Sequence, residues 1–158
     1  MRHAHALVAL TLFLTPLAAS AQAPAPVPVG QIAMLPLPAQ GQDDVVALVK
    51  THWKPYFETQ GSDSFGRESL RFGRFDLDGD NRSELVVMLT KAGWEAEQGF
   101  PLVVASWTDK GWRAIGWSWG DEDTLFATDE IRQGWRTLDT GTQFLYWDGR
   151  TYARIDKN

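Results

Sequence analysis

Residues 76–84 read Asp-Leu-Asp-Gly-Asp-Asn-Arg-Ser-Glu and run directly into five apolar residues, Leu85, Val86, Val87, Met88 and Leu89. The apolar run suits a central β-strand, with no helical spacing to suggest otherwise. The acids before it need a different explanation. Like charges crowded in one turn repel, and side-chain packing gives no reason to gather them. A hard divalent cation does: calcium takes six to eight oxygen ligands, and alternating aspartates in a tight turn deliver several at once. The competing reading is a solvated acidic turn.

The spacing rejects a helical calcium loop. In an EF-hand the glycine stands at position 6 and the closing glutamate at position 12. Here Gly79 is at the fourth position, Asn81 at the sixth and Glu84 at the ninth, and β-like sequence follows. Asp76, Asp78 and Asp80 are the expected carboxylate ligands. Arg82 would add its backbone carbonyl, and Glu84 would close the shell from the start of the strand. Gly79 permits the tight fold, and Asn81 tolerates the left-handed conformation. Metal-assisted hydrolysis needs an open coordination position and usually a base. Nothing near the loop supplies a base beyond the ligands themselves, so the expected role is structural and the chain is read as a non-enzyme.

This loop resembles the calcium loop of the FG-GAP/VCBS (integrin-like) repeat proteins, whose pattern is Asp-x-Asp/Asn-Gly-Asp-Gly-x-x-Asp/Glu before an apolar strand. Positions 76, 78, 80 and 84 fit; Asn81 replaces the usual glycine. The resemblance covers about a dozen residues and extends loosely over the sheet that follows. It implies a Ca2+ site that organises a β-sheet, usually for adhesion or recognition.

The rest of the chain frames that loop. Arg2, His3 and His5, an apolar stretch over 6–17, and Ala19-Ser20-Ala21 have the layout of an export signal cleaved after Ala21. A periplasmic or secreted protein follows, with no membrane insertion after cleavage. Residues 22–42 are rich in Pro and Ala and read as an extended linker, with an edge strand around 31–35 as the alternative. Residues 43–158 form one domain. The net charge of −5 disfavours nucleic acid and anionic membranes as partners. The absence of cysteine excludes disulfides, thiol catalysis and zinc–thiolate sites.

Within the domain, Val45, Leu48, Val49 and Trp53 recur at helical spacing, and Asp43 or Asp44 can cap that helix. Pro55 should end it at Lys54. Beyond Leu70 the pattern turns to β. Strands are expected over 85–90, 100–107, 112–119, 144–147 and 151–155, the latter two joined by a type I′ turn at Asp148-Gly149. The expected fold is mainly β (α+β): a twisted antiparallel sheet of hairpins with one N-terminal helix. A faint repeat sets Arg82-Ser83-Glu84-Leu85 against Trp135-Arg136-Thr137-Leu138. On that alignment Asp76 meets Asp129, and the other ligand positions are lost, which makes a degenerate two-fold repeat.

Eight tryptophans are present, five of them between Trp94 and Trp119. Alternation would put Trp117 and Trp119 on one face with Ile115 and turn Trp112 to the other. Trp94, in a polar segment, and Trp112 are the expected partner-binding residues. His52 is expected to be a partly exposed helix residue rather than a ligand or base. The function expected is recognition of a protein or glycan. Alternatives are an inhibitor or immunity-type protein against a cell-wall hydrolase of lysozyme type, blocking its cleft with Trp94 or with Asp121, Glu122 and Asp123, and a carbohydrate-binding module.

Overall fold

The computed structural model describes residues 29–60 and 65–157. The segments expected to be an export signal with its cleavage position and a linker up to Pro28, and residues 61–64, lie outside those residues. Just beyond, the segment read as a linker is structured. It supplies two short strands, β1 (Gly30–Gln31) and β2 (Leu35–Pro36). Each lies antiparallel along the edge of a different sheet, and Ile32 between them is fully buried.

The helical arm follows, as α1 (Asp43–His52) and α2 (Lys54–Gln60). Val45, Leu48 and Val49 are buried, as their spacing requires. Neither aspartate caps α1. Gln42 holds the cap position in a left-handed conformation without a side-chain bond. Asp43 pairs with Arg67 at 2.7 Å, and Asp44 accepts the Trp112 indole N–H at 2.8 Å. The arm breaks at Trp53 but continues past Pro55. A proline in the first turn of a new helix loses no intrahelical hydrogen bond, so Pro55 is tolerated there.

The β region is mainly antiparallel hairpins, as expected, but they divide into two five-stranded sheets. Strands β3 (Leu70–Phe75), β4 (Glu84–Leu89), β5 (Phe100–Thr108) and β6 (Gly111–Gly120) form one four-strand meander, with β2 on its edge. Strands β7 (Phe126–Arg132), β8 (Trp135–Asp139), β9 (Gln143–Trp147) and β10 (Tyr152–Asp156) form a second meander, with β1 on its edge. The repeat in the sequence corresponds to this layout: it sets the start of β4 over the start of β8, the second strand of each meander. The meanders differ at the first connection. Residues 76–83 join β3 to β4, whereas Gln133 and Gly134 alone turn β7 into β8, both at positive φ.

The first sheet is covered on both faces. Val86, Met88, Leu102 and Val104 face the second sheet and meet Ala127, Leu138, Leu145 and Tyr152. Leu85, Val87, Leu89 and Val103 face the helical arm. This is why the apolar run at 85–89 lacks alternation. Burial of each such side chain contributes roughly 1.5–3 kcal/mol, so β4 is a firm base for the loop that precedes it.

One turn and one strand depart from expectation. The β9–β10 hairpin is closed by four residues rather than by a two-residue Asp-Gly turn, because Asp148 Oδ1 accepts both the Arg150 and Thr151 amides at 2.8 Å. In β6, a bulge opposite Val104 and Ala105 inserts Ile115 as an extra residue. Ile115 and Gly116 then both face the second sheet, and alternation resumes with its parity reversed. Trp117 and Trp119 therefore lie on the helix side together with Trp112, not with Ile115. Gly116 allows the sheets to approach: a Cβ there would stand 2.5 Å from Tyr152 Cβ.

Candidate metal centre and aromatic cleft

Phe75 and Glu84 are paired across β3 and β4, so the ends of the acidic loop are held together by the sheet ladder. Inside, the loop is organised by its own carboxylates. Asp76 accepts the Gly79 amide at 2.7 Å and the Asn81 amide at 3.1 Å. Asp78 accepts the Asp80 amide at 3.1 Å. Gly79 and Asn81 have φ of 78° and 66°, the left-handed positions anticipated for them. Leu77 is fully buried between the sheets, and its amide donates to Glu84 Oε2 at 2.9 Å.

One carboxylate oxygen from each of Asp76, Asp78 and Glu84 lies within 4.8 Å of the others. This triad could hold a metal ion, and its all-oxygen donors suit a hard cation. Asp80 is outside the triad, with its oxygens on the Arg82 amide at 2.7 Å and the Arg82 guanidinium at 3.3 Å. The Arg82 side chain is solvent-exposed.

The triad is electrostatically loaded. Burial, with the charges of Asp78 and Asp80 behind it, pushes the Glu84 carboxyl up to about 7 against the opposing Leu77 hydrogen bond. Burial also raises Asp78, with the Asp80 and Asp76 charges adding and the Asp80 amide opposing. The Tyr152 phenol is raised by burial and then by Glu84 and Asp78, and its hydroxyl donates to the Arg136 carbonyl at 2.8 Å. A cation would relieve the repulsion and the desolvation of these acids together.

A second feature lies on the opposite, helix-facing side of the first sheet. A cleft of about 320 Å³ is walled by His52, Trp53 and Pro55 from the helical arm, by Trp94 from the β4–β5 connection, and by Pro101, Trp117 and Trp119 from β5 and β6. Trp94 is half-buried, with its ring 5.1 Å from that of Phe57. Trp117 is 38% exposed and meets Trp119 edge-on, with the Arg154 guanidinium 3.5 Å above its ring. His52 is partly buried, which lowers its pKa, and it contacts Trp53 edge-on.

Of the two expected contact residues, Trp94 lies in this cleft and Trp112 does not. Trp112 is anchored by Asp44 and by edge-on contact with Trp107 at 5.0 Å, in a separate groove along α1. Sequence reasoning missed Trp53, Trp117, Trp119, Pro55 and Pro101 as members of one site. The available signal was Gly116: a glycine inside a strand marks a bulge or a close backbone approach, and here it marks both. No family model, no curated protein and no solved structure matches this chain, so the likeness to FG-GAP/VCBS repeats rests on the loop residues themselves.

Proposed function

We propose that this chain is an exported, non-enzymatic recognition module of FG-GAP/VCBS type, in which one calcium ion closes the 76–84 loop and the aromatic cleft engages a macromolecular partner. The observation that carries this reading is the separation of the two features on opposite faces of the first sheet. The acids are turned into their own loop, against the Gly79, Asn81 and Leu77 amides. An ion bound there acts on the scaffold. Asp76, Asp78 and Glu84 would hold it, with Asp80 and the Arg82 carbonyl completing the oxygen shell that calcium requires. The cleft instead gathers four tryptophans at a surface, the residue type most enriched at binding hot spots.

An inhibitor of a basic cell-wall hydrolase is the second reading, favoured by the net charge of −5. At the acidic turn, however, Glu122 is already engaged with Arg71 at 3.4 Å.

The scaffold half is tested by thermal melting in calcium and in excess chelator; identical melts would refute it. The recognition half is tested by tryptophan emission during titration with lysozyme-type hydrolases, peptidoglycan fragments and extended peptides. It fails if none of these binds in a way that a Trp117→Ala variant impairs.

A further inference from the structure

The hydrogen-bonding character of the cleft narrows its ligand. Its side chains are four indoles, one imidazole and two prolyl rings. Indole N–H is a donor only. Among the described residues that line it there is no carboxylate, amide or hydroxyl side chain, and His52 is the one side-chain acceptor among them. A well-matched ligand is therefore apolar in shape, rich in acceptors and poor in donors.

Three ligand classes suit aromatic clefts in general, and they fare differently here. A quaternary ammonium seeks open ring faces. Here Arg154 stands 3.5 Å above Trp117 and Lys91 stands 5.8 Å from Trp94, and their positive charges would repel a further cation but not a neutral ligand. A sugar ring brings several hydroxyl donors, and each donor buried without a partner costs about 1–3 kcal/mol. An extended proline-rich peptide has the opposite balance. Each proline lacks the N–H and keeps the carbonyl, and the polyproline conformation is largely formed before binding. The cleft, about 320 Å³, lies at the small end of ligand sites, which suits a pair of prolyl rings rather than a whole folded epitope.

We infer that the cleft binds an extended proline-rich segment of a partner protein, with prolyl rings against the indole faces and peptide carbonyls accepting from indole N–H groups. This rests on the recognition reading above and names its partner class. The chain itself contains such a sequence, Ala-Pro-Ala-Pro-Val-Pro at 23–28, which supplies a natural first probe.

The test is a titration of the whole domain, followed by tryptophan emission and calorimetry, with a synthetic peptide of residues 22–29, with decaproline, and with the 22–29 peptide carrying alanine at each proline. Chitin oligosaccharide and choline are run alongside. Saturable binding of the two proline-rich peptides, and at least about tenfold weaker binding of the alanine version, is expected. Trp117→Ala, at an exposed position, should weaken binding by about tenfold or more. Trp107→Ala, an exposed tryptophan outside the cleft, should leave it unchanged. Equal binding of the alanine peptide, or no effect of Trp117→Ala, overturns the inference. Binding of the oligosaccharide or of choline but not the peptides overturns it while leaving the recognition reading intact. If no probe binds and the hydrolase titrations also fail, both fall.

Discussion

The Leu77 carbonyl accepts the Arg136 amide at 2.8 Å. The acidic loop of the first meander is thereby fixed to the second strand of the other meander. Ordering of the loop is felt by both sheets, so a cation bound there should raise the stability of the whole domain rather than of one hairpin.

Calcium at about 100 times its Kd should stabilise the domain by roughly 2.7 kcal/mol, seen as a rise of several degrees in Tm that chelator reverses. Asp78→Asn should abolish this response, because Asp78 belongs to the triad. Asp80→Asn should only weaken it, because Asp80 is held by Arg82. Scanning calorimetry of the three proteins with and without calcium checks the order; an unimpaired response in Asp78→Asn would refute the ligand assignment.

The chelated protein should lose stability with rising pH. Glu84 has its folded pKa raised from 4.5 to about 7. A raised carboxyl favours folding fully below 4.5, and that contribution is lost as pH rises through about 7. His52 acts in the opposite sense: burial lowers it from 6.5, so its contribution is present above 6.5 and lost as pH falls below that. Urea midpoints from pH 4 to 8 should show the Glu84 slope vanish in Glu84→Gln and the His52 slope vanish in His52→Gln.

Leu77→Ala should cost about 2–5 kcal/mol, the range for truncating a fully buried leucine. It should also blunt the calcium response, because Leu77 seats the loop between the sheets. A surface-like cost below about 0.5 kcal/mol, measured by denaturant unfolding, would contradict this placement.

Gly116→Ala should destabilise by about 1–3 kcal/mol, the usual range for overpacking, because the added Cβ would stand 2.5 Å from Tyr152 Cβ. Pairing it with Tyr152→Gly should recover part of the specific clash, and a double-mutant cycle measures that part.

The acidic loop was legible in the sequence because its determinants are local: three carboxylates, one glycine and one asparagine set its turns. What local spacing did not reveal is that the Asp80 oxygens bond Arg82, two residues away, and so stand outside the triad of Asp76, Asp78 and Glu84. The strands from Phe100 to Trp119 were legible from apolar patterning. The faces they present were not, because one extra residue at Ile115 reverses every side chain after it. The aromatic cleft depends on that bulge and on a helical arm that continues past Pro55. Both are consequences of tertiary packing rather than of local propensity. Strands β7 and β8 lack a strong apolar alternation; β7 is largely exposed, which leaves little pattern to read.

The short passage from Gly30 to Pro36 joins the outer edges of both sheets. It works as a double clasp, with Ile32 as its pin. A protease that trimmed the chain beyond Pro36 would uncover β3 and β7 at once, offering two unpaired backbone edges to other copies of the protein. Self-association after over-trimming is thus written into the same seven residues that keep the intact domain closed.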